Sequence, residues 1–482
     1  MSGHRVLRNS VWNVASEAIG GAAFFVAVVL IARYLGTSLF GILSFILAFV
    51  GMLQVVADFG LTNTLVRDMA RDKANAVKIF AAAVLLVAAF SLTLAMIMGL
   101  LSWWWAPSPE VLRACLLICA VAVVNWLALV FAAVCRAHED MGFNAAGNGT
   151  NKVLILALVV GAIHLDAGLT GIALALLLAG IYQLLFFYVV VRTRYFPLSL
   201  RFDPSYWKYL LTQSYQVGLA MVFRRSVAHV GTLLLTALST PHAVGLYNAA
   251  FKLMHVIDML PFTLSMTLFP PFSRFAKESS ARLFRALADA MRIFAIIGFP
   301  LFSCTLLLAP EIIRLTFGAA FGEAAPVLRI MSFAIFLIFP TSLYINAFSA
   351  LKRERLYTIC TGVCLALDIV LGIVLILSFG ERGAAVAIVI GELAFFATGF
   401  FLLSGQGFAA SIPSLIGKPL LASVMASPIL LAAASSGSVL ALVGYTAAYG
   451  LTYVLLIVLL KSIRKEELDV LLAAFQRQRL KT

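Results

Sequence analysis

The stretch YLLTQSYQVGLAMVFRRSVAHVGTLLLTAL (residues 209–238) is mostly apolar and long enough to cross a lipid bilayer, yet it carries Arg224 and Arg225 side by side. Arginine keeps its charge at physiological pH, and placing one guanidinium in hydrocarbon costs about 2.5–3.5 kcal/mol on insertion scales. Two adjacent arginines at this depth therefore predict a polar cavity between helices, with an anionic group to bind.

The rest of the chain has the same apolar character. Of its 482 residues, 63% are hydrophobic and only 12% are charged, and the mean hydropathy is +1.04. Soluble domains do not have this composition, whereas polytopic α-helical membrane proteins do. The net charge of +14 would indicate nucleic acid binding in a soluble protein. Here the basic residues lie between apolar runs, so they indicate orientation in a membrane and no nucleic acid partner.

Apolar runs of membrane-spanning length recur along the whole chain. We predict an all-α polytopic membrane protein with about fourteen transmembrane helices; twelve or thirteen are the alternatives, because the fifth run is short and the thirteenth is weakly bounded. The predicted spans are 10–32, 40–58, 77–100, 111–134, 150–165, 169–191, 209–238, 243–270, 286–308, 326–350, 357–378, 383–403, 416–435 and 438–460. Most of the 35 lysines and arginines then lie on the side of the N-terminus, which predicts cytoplasmic N- and C-termini.

Two segments about two hundred residues apart share a pattern. LGTSLFG (35–41) and LSTPHAVG (238–245) each join two predicted spans, and each second span ends in basic residues. Six helices separate the copies, so the pattern predicts two parallel six-helix lobes around a central cavity. The predicted domains are an N-terminal lobe (1–191), a C-terminal lobe (192–403), two extra helices (404–460) and a cytoplasmic amphipathic tail (461–482), with a solvated basic tail as the alternative for the last.

Three motifs give the chain a family resemblance. ARYLGTSLFG (32–41), ADFGL (57–61) and FGAAFGEAAPVLR (317–329) resemble segments of the polysaccharide-transporter (Wzx-like) flippases, which belong to the multidrug/oligosaccharidyl-lipid/polysaccharide exporter superfamily. The resemblance implies a fourteen-helix flippase that opens alternately to the two sides of the bacterial cytoplasmic (inner) membrane. Its substrate would be an undecaprenyl-pyrophosphate-linked oligosaccharide for O-antigen, capsule or exopolysaccharide assembly, and its candidate partners a polysaccharide polymerase and glycosyltransferases.

The ionisable residues within the seventh and eighth spans are the candidates for contact with this substrate. Arg225 and His229 lie four residues apart on one helix face, while Arg224 points about 100° away. Arginine offers forked donors that match phosphate, and lysine a compact charge, so we interpret the set as a cationic patch for the diphosphate. The predicted substrate-binding residues are Arg224, Arg225, His229, Lys252, His255 and Asp258. The structural alternative is an ion pair of Arg224 or Arg225 with Asp258 or Asp368.

Acidic residues also lie within the predicted spans. Glu17, Asp368 and Glu392 are the deepest of them, and buried carboxyl groups are typical proton or cation sites, so they are the candidates for coupling to H⁺ or Na⁺. For each one alone, a hydrogen-bonded neutral acid or a structural partner for arginine is the more common explanation.

Two other functions compete with lipid-linked oligosaccharide flipping. A cation-coupled multidrug exporter of the same superfamily would favour an acidic, aromatic cavity over the arginine pair. A membrane glycan polymerase or ligase would need a large outer loop, and the chain has none. Because no Walker loop, metal-binding helix or nucleophile elbow occurs, we predict a transporter that is not an enzyme and uses no cofactor or metal. The six cysteines are predicted to be small buried hydrophobic residues.

Overall fold

The computed structural model describes residues 3–58, 60–73, 75–197 and 204–462, apart from the side chains of residues 3–18, 55–58, 105, 204–205, 211, 213–221 and 224. Every regular element in these ranges is helical. The helices are α1 Gly3–Asp58, α2 Leu61–Arg71, α3 Ala76–Trp105, α4 Pro109–Ala137, α5 Met141–His164, α6 Gly168–Arg194, α7 Pro204–Leu238, α8 Pro241–Glu278, α9 Ser280–Leu307, α10 Ala309–Thr316, α11 Ala324–Thr341, α12 Tyr344–Ala350, α13 Glu354–Ser404, α14 Ile412–Ala434 and α15 Val439–Leu459, with a 3₁₀ turn at Ala319–Phe321.

Two helices are too long for one membrane crossing. α1 has 56 residues and α13 has 51, so each would extend well over 70 Å, against about 30 Å of hydrocarbon. Each is broken at one glycine in the left-handed region, Gly36 (φ 71°) and Gly380 (φ 57°), a conformation that glycine adopts without strain. α1 and α13 therefore contribute two predicted spans each.

The predicted polytopic all-α fold is confirmed. Eleven helices in the described ranges are long and apolar enough to cross a membrane, and α1 and α13 are among them. α7 adds a further 35-residue helix, of which Arg225–Leu238 is the apolar part. With two crossings in each broken helix, these elements match the fourteen predicted spans.

Two helices extend the picture that the predicted spans gave. α5 begins at Met141, well before the predicted start at 150, because Asn148 and Asn151 interrupt the apolar run without interrupting the helix. The basic loop after the second span contains the amphipathic helix α2, whose buried face includes Leu61, Leu65 and Met69. Its eleven residues are too few to cross a membrane, so the search for long apolar runs missed it.

The chain forms two compact units, and the boundary between them lies within α7, at Leu233 and Leu234. In unit 1, α4 packs against α3 and α6, and α5 against α1 and α6. At one end of this unit, the Tyr34 hydroxyl donates to Asp166 (2.7 Å) and accepts from the Gly168 amide (2.9 Å), while Glu110 accepts from the Leu169 amide (3.0 Å). These bonds tie the break in α1 to the start of α4 and to the α5–α6 turn.

Another set of side chains fastens the opposite end of unit 1. The Tyr195 hydroxyl donates to Asp140 (2.6 Å), and its ring lies 4.4 Å from that of His138. Burial raises the pKa of Tyr195 above its ordinary value, and the bond to Asp140 raises it further, so this hydroxyl stays a donor. The Tyr206 hydroxyl at the start of α7 donates to Asp68 of α2 (3.4 Å). α7 is thereby attached to unit 1 at this end.

In unit 2, α11 is the most deeply buried membrane-length helix and packs against α8, α9 and α13. α14 packs against α9 and α15. The contact includes buried polar groups: Ser423 Oγ lies 2.6 Å from Ser303 Oγ and 3.0 Å from Tyr449 Oη, and the Tyr453 hydroxyl donates to the Ile296 carbonyl (2.8 Å). The predicted lobe boundaries stay a prediction, and residues 463–482 of the predicted tail lie outside the described residues.

Candidate functional site

Arg225 is exposed on α7, although the helix around it is apolar. Thirteen residues separate it from the end of α7 at Leu238, which is about 20 Å of helix and well inside a hydrocarbon core of about 30 Å. An exposed guanidinium at that depth favours water or polar groups over lipid. The side chain of Arg224 lies outside the described residues.

The neighbouring face of α7 packs against α1. Ser226 is buried, and its hydroxyl lies 3.3 Å from Met52 Sδ. The ring of His229 lies directly over Gly51, where a Cβ atom would come within 2.6 Å of its Cε1 atom. His229 therefore contacts α1, while Arg225, about 40° around the helix, is exposed.

The predicted stripe on α8 belongs to unit 2. Lys252 and Asp258 are half-buried, and His255 is exposed. The His255 ring is parallel to Phe251 (6.4 Å between centroids), and Phe251 is parallel to the buried Tyr247 (5.9 Å). A file of three stacked rings thus runs along α8. A site shared by this stripe and Arg225 stays a prediction.

Asp368 and Glu392 lie together within α13. They are only 3% and 6% exposed, and they interact electrostatically. A Cβ atom at Gly391 would lie 2.0 Å from Asp368 Oδ1, so the carboxyl group occupies the space that a side chain at 391 would take. Asp368 Oδ1 accepts no hydrogen bond from the described residues. Tyr247, at the buried end of the aromatic file, is close enough to interact with the charge of Asp368.

The remaining candidates are Glu17, the cysteines and any metal-binding group. The side chain of Glu17 lies outside the described residues. All six cysteines are free, and five of them are buried, as expected of small hydrophobic residues. Among the described residues, no group of three or more histidine, cysteine, aspartate or glutamate side chains could hold a metal ion.

A cluster of amides between α5 and α6 was missed by the sequence analysis. Asn151 Nδ2 donates to Gln183 Oε1 (3.3 Å), and Gln183 Nε2 donates to Asn148 Oδ1 (2.9 Å). The Tyr182 hydroxyl donates to Thr150 beside them (3.0 Å). The signal was present in the i,i+3 spacing of the two asparagines, but it was missed because the search for candidate site residues followed charged side chains.

Comparison with known proteins agrees with this architecture. A family model described as "Polysaccharide biosynthesis protein" matches residues 6–276, and one described as "Lipid II flippase MurJ" matches residues 144–460. A probable low-salt glycan biosynthesis flippase, Agl15 of Haloferax volcanii, is 27% identical over 184 residues. That match covers 38% of this chain and 38% of Agl15, so it spans less than half of the relative's length.

Solved structures show the same fold at low identity. The lipid II flippase MurJ in an inward closed conformation is 14% identical, with a TM-score of 0.78 over 93% of this chain and 98% of that one. An inward-facing multidrug resistance MATE family transporter is 18% identical, with a TM-score of 0.66 over 83% of this chain and 100% of that one. Because family models match more than half of the chain, the resemblance found in its motifs is confirmed, and the chain belongs to the polysaccharide-transporter flippase family of the multidrug/oligosaccharidyl-lipid/polysaccharide exporter superfamily.

Proposed function

We propose that this protein is a flippase that moves an undecaprenyl-pyrophosphate-linked oligosaccharide across the bacterial inner membrane by alternating access, with its N- and C-termini in the cytoplasm. Family membership supports transport of a lipid-linked saccharide. The observation that carries the proposal further is the exposed guanidinium of Arg225 deep in an apolar helix. A guanidinium at that depth favours a polar environment, and its planar fork of donors matches a diphosphate headgroup.

The chemistry of the substrate matches the residues in the seventh and eighth spans. A diphosphate carries concentrated negative charge, to which arginine donates in a planar fork and lysine donates as a point charge. Arg225 is assigned the main contact with the diphosphate, supported by Lys252 and His255 of α8. Arg224, His229 and Asp258 complete the proposed set, with His229 holding α7 against α1. O-antigen, capsule or exopolysaccharide assembly would then place the protein between glycosyltransferases and a polymerase.

Export of cationic drugs is the second candidate, because a MATE transporter shares the fold. The same observation at Arg225 weighs against it, since an exposed arginine repels a cationic drug.

Transport in proteoliposomes distinguishes these candidates. Vesicles containing the purified protein would carry a radiolabelled undecaprenyl-pyrophosphate-linked disaccharide in the inner leaflet, and a soluble glycosidase would report its arrival outside. We expect protein-dependent arrival of the disaccharide and no protein-dependent movement of ethidium. Movement of ethidium without the lipid would overturn the flippase proposal in favour of drug export.

We further propose that Asp368 and Glu392 couple transport to an ion gradient. Two carboxylates held together at low dielectric repel each other unless a proton or a cation lies between them. Binding of H⁺ or Na⁺ therefore relieves this repulsion and alters the packing between the two halves of α13. The three stacked rings on α8 connect this packing change to an exposed side chain. Tyr247 interacts with Asp368, and the exposed ring of His255 lies at the opposite end of the stack.

Neutralising both acids should uncouple transport without unfolding the protein. For Asp368→Asn combined with Glu392→Gln, we expect gradient-driven flipping to fall about tenfold, because no ion is needed to relieve the repulsion. Flipping would be measured in proteoliposomes under an imposed pH gradient and then a Na⁺ gradient, with thermal stability followed in parallel. Glu323→Gln, at a site that is 77% exposed, is the control. Full gradient dependence in the double variant would contradict the coupling role.

A further inference from the structure

α5 is the least apolar of the candidate membrane spans in unit 1. Much of its surface is also unburied. Three of its polar side chains bond to two side chains of α6, and we call this set the α5–α6 polar face. The members of this face are Asn148, Thr150, Asn151, Tyr182 and Gln183.

This face lies near the middle of two helices of membrane-spanning length. Asn151 is ten residues from the start of α5 at Met141, and Gln183 is eleven residues from the end of α6 at Arg194. At 1.5 Å per residue, both residues lie about 15 Å from these neighbouring helix ends, near the middle of each helix. Thr150 is exposed there, and the other four members are half-buried. Amide and hydroxyl groups within such helices are poorly suited to lipid, so this position favours water or a polar ligand beside them.

The chemistry of the face suits a carbohydrate. Amide side chains both donate and accept, and the hydroxyls of Thr150 and Tyr182 do the same, which is what a sugar with many hydroxyl groups requires. Each group is neutral, so the face offers no electrostatic preference for a diphosphate. The Tyr182 ring, 6.3 Å from that of Phe186, adds a flat apolar surface beside these groups.

The simpler explanation is that these amides only join α5 to α6. Hydrogen bonds between side chains of neighbouring helices do this in membrane proteins, and each typically stabilises the fold by about 0.6 kcal/mol. A set that served packing alone would be expected to satisfy its own hydrogen bonds. Asn151 Oδ1 is instead buried and accepts no hydrogen bond from the described residues. Packing also does not explain why Thr150 is exposed.

We propose that the α5–α6 polar face contacts the saccharide of the lipid-linked substrate while Arg225 contacts its diphosphate. The inference rests on the proposed flippase function and assigns the two halves of one substrate to two chemically different surfaces. Arg225 would then provide affinity for any lipid diphosphate, and the polar face would select among glycans.

Two threonines form a matched pair for the test. Thr150 and Thr93 are both exposed in unit 1, and each hydroxyl donates to the carbonyl four residues earlier (2.6 Å and 2.9 Å). Replacing either by valine removes the same local bond at nearly the same volume. Thr93 lies on α3, away from the polar face, so Thr93→Val is the control for Thr150→Val. Asn151→Leu combined with Gln183→Leu removes the hydrogen bonds between the side-chain amides.

Binding would be measured on the full-length protein in nanodiscs with two probes, undecaprenyl pyrophosphate and the same lipid carrying a disaccharide. We expect the wild-type protein to prefer the glycosylated probe. Thr150→Val and the double variant Asn151→Leu/Gln183→Leu should each reduce affinity for that probe by up to about tenfold, as loss of one or two neutral hydrogen bonds predicts. Their affinity for the sugar-free probe should not change. Thr93→Val should change neither affinity.

Three results would overturn the inference: equal wild-type affinity for both probes, an unchanged preference in the variants, or an equal loss for both probes, which indicates a structural role. Failure of the flippase proposal would differ, because the wild-type protein would then bind neither probe. Arg225→Ala distinguishes the roles of the two surfaces, since it should lower the affinity for both probes by the same factor.

Discussion

Replacing Arg225 by alanine is expected to lower surface polysaccharide by about 10–100-fold in cells that depend on this protein. A charge-assisted hydrogen bond contributes about 1.5–3 kcal/mol, and the exposed guanidinium of Arg225 has no neighbour on the same face of α7 that could replace it as a forked donor. Arg225→Lys should keep part of the activity, because lysine retains the charge but donates as a single point. The measurement is surface polysaccharide at matched protein levels in a strain lacking its own flippase.

A control for loss of positive charge lies elsewhere in the chain. Arg282 near the start of α9 is 58% exposed and pairs with Glu278, so Arg282→Ala should leave surface polysaccharide unchanged. Accumulation of the lipid-linked saccharide in the inner leaflet should accompany the loss in Arg225→Ala. Normal polysaccharide in Arg224→Ala, Arg225→Ala and the double variant would exclude a phosphate-binding role for the pair.

Gly383→Ala is expected to disrupt unit 2 and to reduce folded protein more than any other single methyl addition discussed above. Gly383 follows the break at Gly380, and a Cβ atom there would lie 2.0 Å from the carbonyl oxygen of Leu375. The backbone fixes the position of a Cβ atom, and the carbonyl oxygen belongs to the backbone, so neither can rotate away and the two halves of α13 would have to separate. We expect a cost of at least about 3 kcal/mol, the upper end of ordinary overpacking.

Thermal unfolding of detergent-purified protein, followed by size-exclusion chromatography, would measure this loss. Gly444→Ala in α15 is the matched control, because no heavy atom lies within 4 Å of its added Cβ atom. This control should not lower the midpoint of unfolding, since alanine favours a helix more than glycine does. A Gly383→Ala protein as stable as the control would show that the two halves of α13 tolerate separation.

The long helices were predictable because hydrocarbon imposes one rule on every crossing: about twenty apolar residues with internally satisfied backbone. The rule failed where helix and membrane span differ in extent. α2 is amphipathic and too short to cross, and the first turns of α5 are helical but polar. Periodicity and length report burial in lipid, and neither segment has a lipid-covered surface on all sides.

The site was predictable in part for a similar reason. Ionisable residues stand out in apolar runs, so Arg225, Asp368 and Glu392 were identified individually. The contact between the two acids also had a signal, since Asp368 lies twelve residues before Gly380 and Glu392 twelve residues after it. A reversal at Gly380 brings them to equal depth, but their side-chain directions depend on packing that a periodic pattern does not contain. Neutral amides escaped notice because they carry no charge.

Positions 391 and 368 are expected to depend on each other during evolution. Any side chain at 391 would occupy the space that the Asp368 carboxyl group fills, so a substitution at either position changes which residues are acceptable at the other. A smaller residue at 368 makes room for a side chain at 391. The order in which the two positions change therefore matters, because a side chain at 391 displaces the carboxyl group of an acid at 368 from its present position.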